Sequence, residues 1–91
     1  MGEFEWDERK SEWTRRVRGF DFDYASRIFD GPTIENEDSR RDYGEQRMQV
    51  VGRIGADILF VVYTSRAGIR RIISARYANE RERHGYRQVH G

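Results

Sequence analysis

At 91 residues, with 36% apolar residues, one proline and no cysteine, the chain has enough material for a single domain with one modest core. A disulfide framework and a thiolate metal site are excluded, and no run approaches the ~18 apolar residues of a membrane-spanning helix. The start of the sequence lacks the apolar core of a signal peptide, so the expected compartment is the cytoplasm.

In chain order, Phe4-Glu5-Trp6 alternates like a short strand. Asp7 can cap a following helix, and Trp6, Trp13, Val17 and Phe20 fall on roughly one face of it. Both tryptophans are therefore expected between helix and sheet. Gly19 suits the end of that helix. Asp21 is a second capping candidate, and Phe22, Ala25, Ile28 and Phe29 mark one face of a short helix that Asp30-Gly31-Pro32 ends. Thr33–Glu37 reads as a short edge strand, and residues 38–46 as a polar loop. Arg47–Ile54 alternates, with Met48 and Val50 on one side and Arg47, Gln49, Val51 and Arg53 on the other. After a turn at Gly55-Ala56-Asp57, residues 59–64 are almost wholly apolar and belong at the sheet centre. Residues 69–76 form the next strand, and residues 79–88 a final helix capped by Asn79. The order β-α-α-β-β-β-β-α predicts an α+β fold. It is a two-layer sandwich of a mainly antiparallel sheet with helices on one face, formed by residues 1–91 as one domain.

The net charge of +1 hides an asymmetry. Residues 1–45 hold 13 Asp/Glu and 8 Lys/Arg, while residues 46–91 hold 3 and 9, so the halves carry −5 and +6. All the cations but Lys10 are arginines. A GC-rich coding bias accounts for that as readily as function does. The functional reading is a polyanion partner, since arginine grips phosphate with a planar fork and stacks on bases.

The stretches FEWDERK (4–10), DYGEQR (42–47), VGR (51–53), FVVYT (60–64) and RRIISARYANERERHGY (70–86) resemble the BrnT family, ribonuclease toxins of type II toxin–antitoxin systems with a RelE-like fold. The resemblance runs from Phe4 to about Tyr86. It implies a RelE-like domain that inhibits bacterial growth as a metal-independent endoribonuclease, with RNA as substrate and no cofactor. It also implies a BrnA-like antitoxin whose ribbon-helix-helix domain dimerises, so that toxin and antitoxin form a heterotetramer. The basic C-terminal half is expected to meet an acidic antitoxin surface. One departure stands out. The family's first helix usually ends in a segment like N-L-x-K-H-G, of which residues 14–19 keep only Gly19. Arg16 or Arg18 would have to replace the Lys-His pair. The alternative is a catalytically degenerate binding module that only pairs with an antitoxin or contacts RNA.

RNA is cut without metal when its 2′-hydroxyl attacks the adjacent phosphate, which needs proton transfers and cations for the growing charge. By alternation Arg47, Gln49 and Arg53 share one sheet face, and Arg70, Ile72, Ser74 and Arg76 share one face of another strand. If these faces coincide on a side free of helices, four guanidiniums and Ser74 surround a shallow groove. Arg53 and Arg76 would then flank the scissile phosphate, with Ser74 hydrogen-bonding it and Arg47 and Arg70 holding the backbone. Tyr43 could stack on a base. Arg81 and Tyr86, from the last helix, could close over the groove, Tyr86 as acid or stacking ring. Each also has a plainer reading: strand-end arginines paired to acids, a small serine filling a strand, a loop-pinning Tyr43, a Tyr86 packed on the sheet. No carboxylate or histidine spacing suggests a metal site, and His84 and His90 do not form a helical pair.

Overall fold

The computed structural model describes residues 3–39, 42 and 44–91. Each helix begins where a side chain takes over backbone N–H groups that the first turn leaves unpaired. Asp7 accepts from the amides of Arg9 and Lys10 and starts α1, Glu8–Arg18. Gly19 closes it in the left-handed region, at φ 92°, where a side chain would be strained. Asp21 accepts from the Tyr24 amide and starts α2, Phe22–Ala25. The chain then tightens into a 3₁₀ helix, Ser26–Asp30, so the expected second helix is two shorter pieces. Asn79 and Glu82 cap α3, Glu80–His90, reciprocally: Asn79 Oδ1 accepts from the Glu82 amide and Glu82 Oε1 from the Asn79 amide.

The strands are β1 Phe4–Trp6, β2 Thr33–Glu37, β3 Arg47–Ile54, β4 Asp57–Arg66 and β5 Ile69–Tyr77. They form one sheet in the order β1-β5-β4-β3-β2. β1 runs parallel to β5 and the other three pairings are antiparallel, so the sheet is mixed. β4 is the middle strand, as its apolar run requires, because it is buried on both faces. Leu59, Val61 and Tyr63 enter the main core with Phe20, Phe22, Ala25, Ile28, Val50, Ile72 and Ala75. Ile58, from the other face, packs with Ala78, Tyr86, Ile34 and Val51.

That second cluster changes one expectation. The helices are not all on one face: α1, α2 and the 3₁₀ helix cover one side, and α3 folds back over the other. The Ala78 amide donates to the Ile58 carbonyl at 2.9 Å, which turns the chain across the sheet as it leaves β5.

A second expectation fails at α1. Trp6 packs against the core, its ring edge-on to Phe22. Trp13 is 46% exposed and Val17 59%. The buried side of α1 is instead Ser11 and Thr14, small residues that let the helix approach closely. Ser11 Oγ accepts from the Phe22 amide at 3.0 Å, and the phenylalanines after Gly19 fill the space given to Trp13 and Val17.

Candidate functional site

Strand alternation decides which arginines can meet, and β5 breaks it once. Val62 pairs with Ser74 but Tyr63 pairs with Ile72, leaving Ile73 as a bulged extra residue. The side chains before and after it therefore point to opposite faces. Arg70 and Ile72 lie on the side of α1 and α2. Ser74, paired with Val62, and Arg76, paired with Phe60, share the other face. Arg47, Gln49 and Arg53 of β3 are on that same face, opposite Thr64, Val62 and Ile58. The expected four-arginine groove thus loses Arg70.

Arg70 is held in an aromatic cage. Its guanidinium carbon lies 4.4 Å from the ring centre of Phe29, 5.5 Å from Tyr63 and 5.9 Å from Phe4. The Tyr63 hydroxyl donates to Glu35 Oε1 at 2.8 Å. Burial, reinforced by that hydrogen bond, raises the Tyr63 pKa.

Arg76 is placed differently. Its guanidinium lies 4.1 Å above the Phe60 ring and donates end-on to Glu82, through Nη1 to Oε1 at 2.9 Å and Nη2 to Oε2 at 3.0 Å. Nη1 also donates to the Tyr77 carbonyl at 3.1 Å. A guanidinium carries five N–H donors. Among the described residues these contacts use three, and the two left are Nε–H and the second hydrogen of Nη2. They form the side edge of the fork, which matches two oxygens of a phosphate. The side chain is 38% exposed. Burial acts to raise the Glu82 pKa, but the Arg76 hydrogen bonds and the Asn79 amide outweigh it, so the carboxyl titrates below its ordinary range.

Arg53 and Arg76 are turned to different partners. Arg53 Nη1 donates to the Gly91 carbonyl at 3.3 Å, whereas Arg76 holds Glu82. Those partners mark the two ends of α3, roughly 13 Å apart at 1.5 Å rise per residue. Tyr86 lies between them, 1% exposed, and its hydroxyl donates to the Pro32 carbonyl at 2.7 Å. It fastens α3 to the sheet and is shut off from solvent. Arg81 is exposed in the first turn of α3. Arg47 lies 3.7 Å from Glu45. Tyr43 is outside the described residues.

The charge asymmetry is partly cancelled within the fold. Glu5 pairs with Arg71 at 3.1 Å, and Glu45 with Arg66 at 3.2 Å, so acids of the first half neutralise arginines of the second. Arg83 pairs with Glu80 at 3.5 Å inside α3. The C-terminal half is therefore not a bare cationic face.

A family profile described as "Ribonuclease toxin, BrnT, of type II toxin-antitoxin system" matches residues 6–82. The chain belongs to the BrnT family. No curated protein sequence matches it. As a ribonuclease toxin of a type II system, this BrnT-family chain has RNA as its target and an antitoxin as its partner. The matched span includes Arg53, Ser74, Arg76 and Glu82 and stops before Tyr86.

Sequence reasoning missed Phe60 and Glu82. The Asn79-x-x-Glu82 spacing of a capping box was a usable signal, because it fixes a carboxylate just beyond the strand that carries Arg76. Phe60 gave no such signal, since it sits in a run of apolar residues and only the register sets it under Arg76.

Proposed function

We propose that this BrnT-family chain cleaves RNA without a metal ion, on the face of the sheet that carries Arg76. The observation that supports this most directly is the free Nε/Nη2 edge of Arg76, held between Phe60 and Glu82. In the reaction the 2′-oxygen attacks its own phosphate as its proton passes to water, a cyclic phosphate forms, and the bond to the 5′-oxygen breaks as that oxygen takes a proton from water. Negative charge grows on the non-bridging oxygens, where a fixed guanidinium is most effective. Glu82, ionised by its bonds to Arg76, acts as a positioning residue that keeps the fork in one plane. Ser74 shares this face and supplies a further hydrogen bond to phosphate. Arg47, Arg53 and Arg81 contact the RNA backbone away from the scissile bond, and Tyr43 stacks on a base. Induction of wild type, Arg76→Ala and Arg76→Lys, followed by RNA integrity and growth, tests the assignment. Both variants should lose cleavage, since lysine lacks the planar fork. A fully active Arg76→Ala would refute it.

The partner in this reading is a BrnA-like antitoxin with a dimeric ribbon-helix-helix domain, giving a heterotetramer in the cytoplasm. The molar mass of the co-expressed complex, measured by light scattering, checks the assembly.

A second reading, a degenerate module that only binds, also has support. Residues 14–19 lack the family's Lys-His pair. The tyrosines whose pKa moves, Tyr24 and Tyr63, move up, and Glu82 moves down, so none of them approaches the neutral range that suits proton transfer. RNA left intact by a wild-type chain that still binds antitoxin would favour this reading.

A further inference from the structure

We infer that the groove between α1 and β5 is the docking site of an antitoxin segment that presents a bulky apolar side chain flanked by carboxylates. This rests on the two-protein partnership of the family and not on the cleavage chemistry.

Two large apolar side chains of α1 face outward, Trp13 at 46% and Val17 at 59% exposure, one turn apart on a single stripe. Beside them is a cavity of about 250 Å³ bounded by Trp13, Phe22, Ile73 and Ser74, with Lys10 and Arg18 at its rim. It is smaller than the ~300 Å³ at which small-molecule sites begin, and of a size for one anchoring side chain. Ile73 borders it because it is the bulged residue of β5, and bulges re-aim side chains. The strand edge here also lacks a strand partner. β1 pairs only with Arg70, Arg71 and Ile72, so among the described residues no strand lies beside β5 from Ile73 onward. Arg18 instead donates to the Ala75 carbonyl at 2.7 Å.

Charge selects the occupant. α1 holds five cations and two carboxylates, and one of the latter, Glu12, is taken by Arg15 and Arg16. A second copy of this chain would bring the same cations against themselves, since a two-fold contact joins identical patches. An acidic segment is complementary, and its apolar residue removes Trp13, Val17 and the cavity from water. Thr14 Oγ1, on the α1 wall of the cavity, already donates to the Lys10 carbonyl at 2.8 Å, and Trp13, Phe22 and Ile73 make the rest of the wall largely apolar. That suits an apolar anchor.

The test compares wild type with Trp13→Glu, Val17→Glu and, as control, Val89→Glu on α3, which is 66% exposed in the wild type. Calorimetric titration with the purified cognate antitoxin measures affinity, and RNA cleavage and thermal melting are followed in parallel. The α1 variants should bind roughly tenfold or more weakly, as expected at the centre of an interface, while the control binds like wild type. All should melt and cleave like wild type, the altered residues being exposed. Unchanged affinity in both α1 variants overturns the proposal. Lost cleavage with antitoxin binding intact also overturns it, by making the groove an RNA contact. A wild type that cuts no RNA yet loses antitoxin through Trp13→Glu supports the docking site and refutes the ribonuclease assignment instead.

Discussion

Arg70 and Arg76 lie on the same strand, and each guanidinium stacks on an aromatic ring, Phe29 at 4.4 Å and Phe60 at 4.1 Å. One bulged residue between them puts the first under the helices and the second on the other face. Arg70 is surrounded by three rings, so it holds β1, the 3₁₀ helix and β4 together. Arg76 has one ring, one carboxylate and an unused edge of its fork. The contrast teaches that a cation–π contact alone does not assign a role. What else surrounds the guanidinium does: rings from three elements for Arg70, and one ring with a carboxylate and a carbonyl for Arg76. The two faces should therefore respond to substitution in different currencies, stability on one and RNA cleavage on the other.

The largest effect is expected on the α3 face. Arg76→Ala should lower cleavage of a defined RNA by ~10²–10³, the usual loss on removing one donor to a charged transition state. Its stability should fall by no more than about 1 kcal/mol, because the ion pair and the Phe60 ring contact it loses are part-exposed. A large fall in melting temperature with cleavage retained would reverse the comparison.

On the face under α1, α2 and the 3₁₀ helix, Gly52→Ala should cost ~1–3 kcal/mol in denaturant unfolding, as overpacking does. An added Cβ would lie 2.6 Å from the Ile28 Cβ, so the 3₁₀ helix must lift from β3. Arg70→Ala should cost about 1–2 kcal/mol, the range of a partly desolvated cation–π contact, and leave cleavage by the remaining folded protein unchanged. If Arg70→Ala instead abolishes cleavage at unchanged stability, both arginines belong to the site.

The smallest effects concern the link between Arg76 and α3. Asn79→Ala should cost about 1 kcal/mol, the usual loss of a helix cap, measured by urea unfolding. Glu82→Gln sharpens this through pH. The Glu82 pKa is lower in the folded chain than in the unfolded one, so its stabilisation is present above the unfolded value. It is lost as pH falls through the folded value. The melting difference between wild type and Glu82→Gln should be full at neutral pH and vanish in acid. A difference that persists in acid would mean that the carboxylate charge is not what matters.

Much of the fold was legible from local rules. Asp7, Asp21 and Asn79 cap helices because short polar side chains compete for free amides wherever they stand, and Gly19 ends α1 because its backbone allows positive φ. The apolar run at 59–64 implied a central strand because only a strand buried on both faces tolerates such a run. The family motifs spread from Phe4 to Tyr86 pointed to the toxin family that the profile match establishes.

The site needed the tertiary structure. Alternation put Arg70 with Arg76, and a bulge at Ile73, invisible in a run of β-branched residues, separated them. Arg53 and Arg76 share a face as alternation implied, but α3 gives them different partners, Gly91 and Glu82, because a helix that follows a strand can cover either face and composition does not say which. Trp13 read as core from its periodicity, yet the contact is made by Ser11 and Thr14, since close approach of backbones selects small side chains. Local sequence sets where elements begin and end, because caps and turns act within a few residues. Which side chains meet is decided by register and by the face each element covers, and these depend on contacts between residues far apart in the chain.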